Sequence, residues 1–449
     1  METQLIKGNI TKSLLLFSIP MILGNFLQQL YNVADTFIVG QYIGSNALAA
    51  VGSSFTIMTF LTSIILGLCM GSSILFSMLY GSKQIDKMKT SFFVSFIGIG
   101  MIAIILEILC LLMIDSILSF IHIPVDVYKQ TYDYLWIIFI GIFFTFIYNY
   151  FSCLLRSLGD SKTPLLFLFI ASIINIVLDI FFITQLNMGV AGAAIATIIA
   201  QFVSGFGIMI YTFYTQKHLL PKKEHCYFDK EIFKKIKDYS LLTCIQQSVM
   251  NFGILMIQGL VNSFGLATMA AFAAAVKIDS FAYMPVQDFG NAFATFVAQN
   301  KGANQIERIH QGFRKAFMLS SLFCIFISSV VFFFADKLML IFIHSSETEI
   351  IALGVQYLQI EGICYIGIGC LFLLYGYYRG IGKPVISIVL TVISLGLRVM
   401  IAYVFAPYFH TLAIWWAIPI GWIVADIVGI IYGIKVEKWK LSSNKKSVA

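Results

Sequence analysis

Polar side chains recur at helical spacing inside three long apolar segments, and two of these segments also carry an aspartate. Residues three or four positions apart lie on one face of a helix, so each set forms one polar stripe. The three stripes are Asn25, Gln28, Asn32 and Asp35; Ser172, Asn175 and Asp179; and Thr197, Gln201 and Ser204. Amides and hydroxyls alone are equally typical of hydrogen bonds between packed helices. The two aspartates favour chemistry with an ion.

Two carboxylates beside amide and hydroxyl oxygens can support two kinds of ion chemistry. An oxygen-rich cluster suits a hard cation such as Na⁺. Two carboxylates that lie close together repel when both are ionised, so one of them could instead take up and release a proton. The sequence therefore predicts a site for Na⁺ or H⁺, and no other cofactor.

The composition indicates that membrane-spanning helices hold these stripes. Of the 449 residues, 59% are hydrophobic and 11% are charged. A soluble protein of this size would have too little polar surface to cover its core. The eight cysteines and six histidines show no metal-ligand spacing, and no set of nucleophile, base and metal ligands is apparent. We therefore expect an all-α polytopic membrane protein that is not an enzyme.

Twelve apolar segments are long enough to cross a membrane as helices. An ionised aspartate inside such a segment costs roughly 2.5–3.5 kcal/mol, so Asp35 and Asp179 should face a partner or a cavity instead of lipid. The segments lie near 14–38, 47–79, 92–114, 134–155, 164–184, 189–214, 239–263, 268–299, 316–335, 357–378, 384–406 and 412–434.

Lysine and arginine are concentrated in every second loop. The loops after the even-numbered segments and both ends of the chain are basic, whereas the other loops hold only Lys129 and Lys337. Basic loops stay on the cytoplasmic side, so we expect a multi-pass plasma-membrane protein with both termini in the cytoplasm. The net charge of +7 is then a topology signal and predicts no nucleic-acid partner.

The second half of the chain repeats the first. Three blocks match in the same order and at nearly the same offset in numbering: 44–50 with 265–271, 81–87 with 302–308, and 156–159 with 379–382. Six helices per half give both halves the same orientation, so the repeat is parallel, with its axis along the membrane normal. Two pseudo-symmetric six-helix bundles are therefore expected. No feature of the sequence requires an assembly larger than a monomer.

The repeat and the basic loops define the predicted domains. A six-helix bundle covers 1–214, a cytoplasmic basic linker 215–238, a second six-helix bundle 239–434 and a cytoplasmic tail 435–449.

Depth in the membrane places the polar residues of the first half together. At a rise of 1.5 Å per residue, Asp35, Asp179 and Thr197 all lie roughly 8–12 Å below the outer edge. With Asn175, one turn before Asp179, they form the predicted cation-coupling site. The residues expected to line a substrate cavity are Gln28, Asn32, Asn149, Gln201, Gln247 and Asn251.

Other intramembrane charges have less defined roles. Lys277 and Asp279 lie near a predicted helix end, which favours an interfacial or paired role. Glu361 and Arg398 could form a structural ion pair or line a pathway, and both interpretations stay open. Glu107 has no evident partner in the sequence.

Several short motifs match one known family. They are Ser18–Ile19–Pro20; Asp35–Thr36 with Val39–Gly40; Arg156–Ser157–Leu158–Gly159–Asp160 with Lys162–Thr163–Pro164; residues 189–197; and Arg379–Gly380–Ile381–Gly382. On these motifs the chain resembles the multidrug and toxic compound extrusion (MATE) family of the wider MOP flippase superfamily. The resemblance implies a V-shaped pair of six-helix bundles. It also implies export of cationic or amphipathic organic compounds, in exchange for Na⁺ or H⁺, by alternating access.

The resemblance to the DinF-like branch implies particular site residues. In that branch the cation site uses an Asp on the first helix, an Asn and an Asp on the fifth, and a Thr on the sixth. These correspond here to Asp35, Asn175, Asp179 and Thr197. The resemblance also implies a bend of the first helix at Pro20, which would act as a hinge.

The sequence departs from the NorM-like branch of that family. That branch places a Glu on the seventh helix and an Asp on the tenth. Here Gln246 and Gln247 stand in the seventh-helix region, and Gly367 or Gly369 stands where the tenth-helix acid is expected. The sequence therefore predicts no equivalent cation site in the second half.

The main alternative is a flippase of lipid-linked oligosaccharides, or of another lipid, from the same superfamily. A pyrophosphate-bearing substrate requires a cavity rich in Arg and Lys. Within the predicted spans the stripes of the first half are acidic and amide, and only Lys277 and Arg398 are basic. We therefore expect small organic cations or amphipathic compounds as substrates, and membrane lipid as the surroundings. A passive channel is less consistent with a two-fold repeat that buries carboxylates.

Overall fold

Helices form nearly all of the structure. The computed structural model describes residues 5–121 and 123–446, and this part of the chain contains no strand. The helices are α1 (Ile10–Tyr42), α2 (Ser45–Gly81), α3 (Ile85–Leu112), α4 (Ile114–Phe120), α5 (Val125–Ile140), α6 (Ile142–Ser157), α7 (Lys162–Ile180), α8 (Gly189–Thr215), α9 (Lys230–Asn262), α10 (Leu266–Gly302), α11 (Ile306–Met339), α12 (Thr348–Ile363), α13 (Tyr365–Gly380), α14 (Pro384–Phe409) and α15 (Thr411–Lys446).

The helices of the described residues give up to twelve candidate membrane spans. Within the described residues, ten helical stretches are long and apolar enough to cross a membrane by themselves. Two further spans are pairs of helices, α5 with α6 and α12 with α13, bent by 46° and 54° at a short break. The predicted all-α, multi-pass architecture is therefore confirmed.

Unusual backbone conformations recur at equivalent positions of the sequence repeat. A positive φ is uncommon for residues other than glycine, so its position is a sensitive marker of local fold. Four pairs of such positions match between the halves: Gly44 (φ 113°) and Gly265 (94°), Lys83 (58°) and Asn304 (55°), Gly159 (95°) and Gly382 (74°), Asn187 (51°) and His410 (53°). The two halves thus share their connections as well as their helices.

The two bent spans differ from the continuous helices that the sequence indicated at 134–155 and 357–378. The breaks lie at Gly141 and Cys364, which are equivalent positions of the repeat. Glycine fits at position 141 because a Cβ there would lie 2.7 Å from Oε1 of Gln201 on α8. A side chain at this break would therefore have to displace the amide of Gln201.

The break at Gly141 also explains Glu107, for which the sequence offered no partner. Starting a new helix at Ile142 leaves backbone N–H groups without acceptors inside the helix. Oε2 of Glu107 on α3 accepts a hydrogen bond from the N–H of Phe143 at 3.0 Å. Glu107 thus caps the second half of a broken span.

The predicted linker over 215–238 is partly helical. Single 3-10 turns occupy Lys217–Leu219 and Lys223–His225, and α9 already begins at Lys230. The early start has a local cause, because Oδ1 of Asp229 accepts a hydrogen bond from the N–H of Ile232 at 2.9 Å. At the other end, α15 continues past the predicted boundary at 434 to Lys446, and residues 447–449 lie outside the described part.

By its internal contacts the chain forms two compact units. One unit comprises the chain up to Gln247 together with Ala298–Asn304, and the other comprises Ser248–Val297 and the chain from Gln305 onward. The first unit extends beyond the predicted 214 because the start of α9 packs on α2. There Oγ of Ser240 donates a hydrogen bond to the carbonyl oxygen of Leu68 at 2.8 Å.

Each unit has an aromatic core that fixes its helices. In the first unit the Tyr150 ring packs against Phe92 with centroids 5.5 Å apart, and its hydroxyl donates to the Phe92 carbonyl at 2.8 Å. In the second unit Trp415 stacks on Phe272 at 5.6 Å and meets Tyr357 edge-on at 5.0 Å. Tyr357 lies one turn before Glu361, so this core sets the position of that buried acid.

Candidate functional site

The structure brings Asp35 and Asp179 together inside the first unit. The carboxyl groups, on α1 and α7, lie within hydrogen-bonding reach of each other. The side chains are buried, with 7% and 0% of their surface exposed. One oxygen of each, Oδ1, has no hydrogen-bond partner in the described part of the chain. Two buried like charges repel strongly at such a separation, so the pair requires a bound proton or cation to offset the repulsion.

Asn175 links Asp179 to Thr197. With its amide in the orientation that satisfies its neighbours, Asn175 donates through nitrogen to Oδ2 of Asp179 at 2.9 Å. Its oxygen accepts from both Oγ1 and the backbone N–H of Thr197 at 3.3 Å. The four predicted residues are therefore contiguous, with α1, α7 and α8 contributing them.

Local irregularity and small residues shape the helices around this cluster. Two residues after Asp179, α7 gives way to a π-helical turn over Phe181–Gln185, a feature that is frequent at functional sites. Gly192 lets α8 approach this turn, because a Cβ there would lie 3.1 Å from Cβ of Phe182. A buried apolar group that includes Ile38 and Ala193 surrounds the carboxylates. Such surroundings strengthen every electrostatic interaction within the cluster.

Two tyrosines complete the cluster and were missed by sequence reasoning. The hydroxyl of Tyr31 lies within hydrogen-bonding reach of Thr197, and Tyr134 on α5 is close enough to both aspartates to feel their charge. Tyr31 stands four residues before Asp35, so helical spacing could have identified it. Tyr134 carries no such signal, because only the packing of α5 brings it to the site.

The residues fit either of the predicted ions. The unpaired Oδ1 atoms of Asp35 and Asp179, with the hydroxyls of Thr197 and Tyr31, form a set of oxygen donors only, as a hard cation requires. The same pair of acids can equally share a single proton. The arrangement can thus bind and release one positive charge inside the first unit.

The residues predicted for a substrate cavity occupy mixed environments. Gln28 is exposed, and the other five are half-buried: Asn32, Asn149, Gln201, Gln247 and Asn251. The amide of Asn149 donates to the carbonyl of Thr145 on its own helix at 2.8 Å, whereas Oε1 of Gln201 has no partner in the described residues. Their role in binding a substrate stays a prediction.

Pro20 lies within α1, which continues as one helix from Ile10 to Tyr42. Its side chain is buried, and its role as a hinge stays a prediction.

A second buried cluster of acids lies in the second unit. Asp279 on α10 and Glu361 on α12 have 6% and 1% of their surfaces exposed, and their carboxyl groups face each other. Arg398 on α14 acts on both acids through its charge, and the hydroxyls of Tyr357 and Tyr365 lie beside them. Lys277, by contrast, is exposed.

The prediction that the second half has no cation site equivalent to that of the NorM-like branch stays a prediction. The sequence pointed to Gly367 or Gly369 as the position of the tenth-helix acid of that branch, whereas Glu361 lies earlier, at the end of α12, just before the bend. Oδ1 of Asp279, both carboxylate oxygens of Glu361 and Nε of Arg398 have no close hydrogen-bond partner among the described residues. Two acids and one guanidinium leave one negative charge uncompensated, so this cluster can also take up a proton.

A helical membrane protein built as an internal repeat, with acids buried in its spans, has an architecture typical of secondary transporters. A family model described as MatE matches residues 20–181 and 240–404, one stretch in each repeat. Probable multidrug resistance protein YpnP of Bacillus subtilis (strain 168) is 30% identical over 450 residues, which cover 97% of each chain. Probable multidrug resistance protein YoeA of the same organism is 26% identical over 445 residues, 97% of this chain and 95% of that protein.

A solved structure, "Crystal structure of MATE in complex with MaL6", superposes with a TM-score of 0.91 at 25% identity, covering 99% of both chains. The chain belongs to the MATE family of multidrug efflux transporters, which confirms the resemblance found in the motifs. Its relatives are transporters and not enzymes.

Proposed function

We propose that the protein is a secondary antiporter that exports cationic or amphipathic organic compounds in exchange for Na⁺ or H⁺ by alternating access. The observation that carries the proposal is the buried pair Asp35 and Asp179, with one unpaired oxygen on each. A site that requires a bound positive charge will favour different conformations when loaded and when empty. Differential binding of this kind is what couples an ion gradient to a change of shape.

The surroundings of the pair support a cationic or neutral substrate. The polar residues on α1, α7 and α8 are acids, amides and hydroxyls, and none of these helices places a lysine or arginine beside Asp35 or Asp179 in sequence. Both Bacillus relatives are named for multidrug resistance. The set Asp35, Asn175, Asp179 and Thr197 supports the DinF-like branch, whose cation site uses the same residue types on the same helices. The protein would act as a monomer in the plasma membrane with both termini in the cytoplasm.

The test is efflux of a cationic dye from proteoliposomes under an imposed Na⁺ gradient and, separately, a pH gradient. We expect one gradient to drive efflux and Asp179→Asn to abolish it. The neutral asparagine side chain can neither release a proton nor balance the charge of a bound cation. Asp336→Asn is the matched control, since Asp336 is exposed on α11. It should transport at the wild-type rate.

Two outcomes would contradict the proposal in different ways. If wild-type protein moves no cationic dye under either gradient, the antiporter proposal fails, and lipid flipping becomes the activity to measure. If efflux occurs but Asp179→Asn is as fast as wild type, coupling must reside elsewhere, with the Asp279–Glu361 cluster as the next site to test.

A further inference from the structure

The first turns of α9, which belong to the first unit, are apolar on one side and basic on the other. Ile232 and Ile236 are 8% and 5% exposed and are buried in an apolar group that includes Leu75 of α2. This packing fixes which side of the helix faces outward. The lysines of the same turns are all exposed, and they are Lys230, Lys234, Lys235 and Lys237.

Helical geometry sorts these charges around α9. At 3.6 residues per turn, Lys230, Lys234 and Lys237 fall within about 60° of one another around the helix axis. Their sector lies opposite the two buried isoleucines and contains no acidic residue, and Phe233 lies at its edge. We refer to Lys230, Phe233, Lys234 and Lys237 as the lysine face of α9.

The nearby acids are engaged elsewhere. Oδ1 of Asp229 accepts hydrogen bonds from the N–H groups of Glu231 and Ile232 at 2.8 and 2.9 Å. Oε1 of Glu231 accepts one from Nζ of Lys235 at 2.8 Å. In the described part of the chain, no acid lies within ion-pair distance of the lysines of the lysine face.

The position of the lysine face on the helix adds to this excess of positive charge. Lys230 is the first residue of α9 and stands at the positive end of the helix dipole, where a cation is unfavourable and an anion is favourable. The lysine face therefore favours an anion supplied from outside the chain.

Two exposed aromatic rings border the lysine face. Phe228 and Phe233 are 65% and 37% exposed, and their ring centroids lie 5.0 Å apart. Phenylalanine beside lysine is typical of segments that lie at the headgroup level of a membrane. A soluble acidic partner would account for the lysines but not for the exposed rings.

The helix itself brings the lysine face to the membrane surface. By length and composition α9 can cross a membrane, and the sequence places the start of its apolar part near 239. At 1.5 Å per residue, Lys234 and Lys237 lie roughly 3–8 Å outside that start. The headgroup layer is about 5–7 Å deep, so both ammonium groups lie within reach of lipid phosphates.

We propose that the lysine face of α9 binds the phosphate groups of anionic lipids in the adjacent membrane leaflet, with Phe228 and Phe233 at headgroup level. Each lysine near an anionic membrane surface adds to the attraction, so the surface prefers phosphatidylglycerol to phosphatidylcholine. The proposal goes beyond ion-coupled export. It concerns other residues and holds whether or not the protein moves a dye.

The test measures the lipid preference of the full-length protein in phosphatidylcholine nanodiscs. A donor fluorophore is attached to Cys226, an exposed thiol four residues before Lys230. Phosphatidylglycerol or phosphatidylcholine carrying the same acceptor on an acyl chain is then titrated, and energy transfer is recorded. We expect half-maximal transfer at a mole fraction of phosphatidylglycerol about ten-fold or more below that of phosphatidylcholine, since three lysines contribute.

Two adjacent lysines provide a matched pair of variants. Lys234→Gln should weaken the preference for phosphatidylglycerol about five-fold, the effect of one lysine at an anionic surface. Lys235→Gln makes the same change in net charge, but Lys235 is paired with Glu231 and lies outside the lysine face, so the preference should stay near the wild-type value. Unfolding temperatures in detergent check that each variant is folded.

Three outcomes would overturn the proposal. Equal effects of Lys234→Gln and Lys235→Gln would show that net charge alone attracts the lipid. Loss of the preference in millimolar inorganic phosphate, at constant ionic strength, would show a site for a free anion instead of a membrane surface. No preference in the wild-type protein would leave a soluble acidic partner as the occupant to test. Dye efflux is not used here, so failure of the antiporter proposal does not affect the result.

Discussion

Tyr31 stands one helical turn before Asp35, and its hydroxyl lies within hydrogen-bonding reach of Thr197. This contact restrains Thr197 toward the two acids. We predict that Tyr31→Phe raises the ion concentration for half-maximal efflux about five-fold, since one hydrogen bond contributes about 1 kcal/mol. The measurement is dye efflux at varied Na⁺ or H⁺ concentration. The maximal rate should change little, because the acids themselves remain.

Tyr42→Phe provides the matched control for this prediction. Tyr42 ends the same helix and is 61% exposed, so loss of its hydroxyl should leave the ion dependence unchanged. Equal behaviour of the two variants would show that the Tyr31 hydroxyl takes no part in ion binding.

Arg398 offsets one of the two negative charges of Asp279 and Glu361, and its removal should be costly. We predict that Arg398→Met lowers the free energy of unfolding by about 3–5 kcal/mol, the usual effect of leaving a buried charge uncompensated. Adding Glu361→Gln should restore more than half of the loss, because only Asp279 then remains to be neutralised. Thermal unfolding in detergent measures both. Strictly additive effects of the two substitutions would show that Arg398 and Glu361 do not interact.

At the scale of single residues, the sequence identified the buried acids but not all of the side chains that contact them. Asp35 and Asp179 stand out because a charge in an apolar span is rare and expensive, and Asn175 follows from helical spacing. Glu361 was noticed as a charge but not placed in a site, because Asp279 and Arg398 lie far from it in sequence. Spacing along one helix cannot show which side chains on other helices will face it.

At the scale of elements, the broken span α5–α6 depends on a cap supplied from α3. Glu107→Ala would leave the N–H of Phe143 without its acceptor at a part-buried position. We predict a loss of about 1–2 kcal/mol in the free energy of unfolding. Glu107→Gln keeps an acceptor oxygen and should retain most of the stability. Thermal unfolding of the two variants is the measurement. If Ala and Gln are equally destabilising, the carboxylate acts by its charge and not as a cap.

The existence and order of the elements were predictable, whereas their breaks were not. Apolar length identifies a span, and an interruption of one residue at Gly141 or Cys364 leaves that length unchanged. At Gly141 the break lies beside Gln201 of α8, a neighbour that the sequence of the span does not reveal. The early start of α9, by contrast, has a local cause. Asp229 lies three residues before Ile232 and is an ordinary capping residue, so the sequence could have predicted this start.

At the scale of the whole molecule, the internal repeat was the strongest sequence signal. Matching blocks predicted equivalent local folds, and the paired positive-φ positions confirm them, including Asn187 and His410, which no sequence match had indicated. The division into two units was harder to predict from the sequence. It places Ala298–Asn304 with the first unit, where backbones meet closely at Gly81 and Gly302. Such contacts leave no hydrophobic pattern in the sequence.

Orientation in the membrane rests on the distribution of lysine and arginine, and a native thiol can test it. Cys226, between α8 and α9, is exposed, whereas the other cysteines are buried or half-buried. We predict that a membrane-impermeant maleimide labels Cys226 in inside-out vesicles and not in intact cells. Cys226→Ser should remove the signal. In that variant Ser345→Cys, exposed between α11 and α12, should label from outside instead.

The same labelling also assigns a side to the start of α3. Nε2 of His225, next to Cys226, lies 3.2 Å from Oδ1 of Asp86 at the start of α3, directly after the end of α2. The thiol and the end of α2 therefore lie at the same end of the first unit. Labelling of Cys226 in intact cells would contradict the predicted topology. Labelling from the cytoplasmic side alone would support it, because this end of the first unit would then face the cytoplasm.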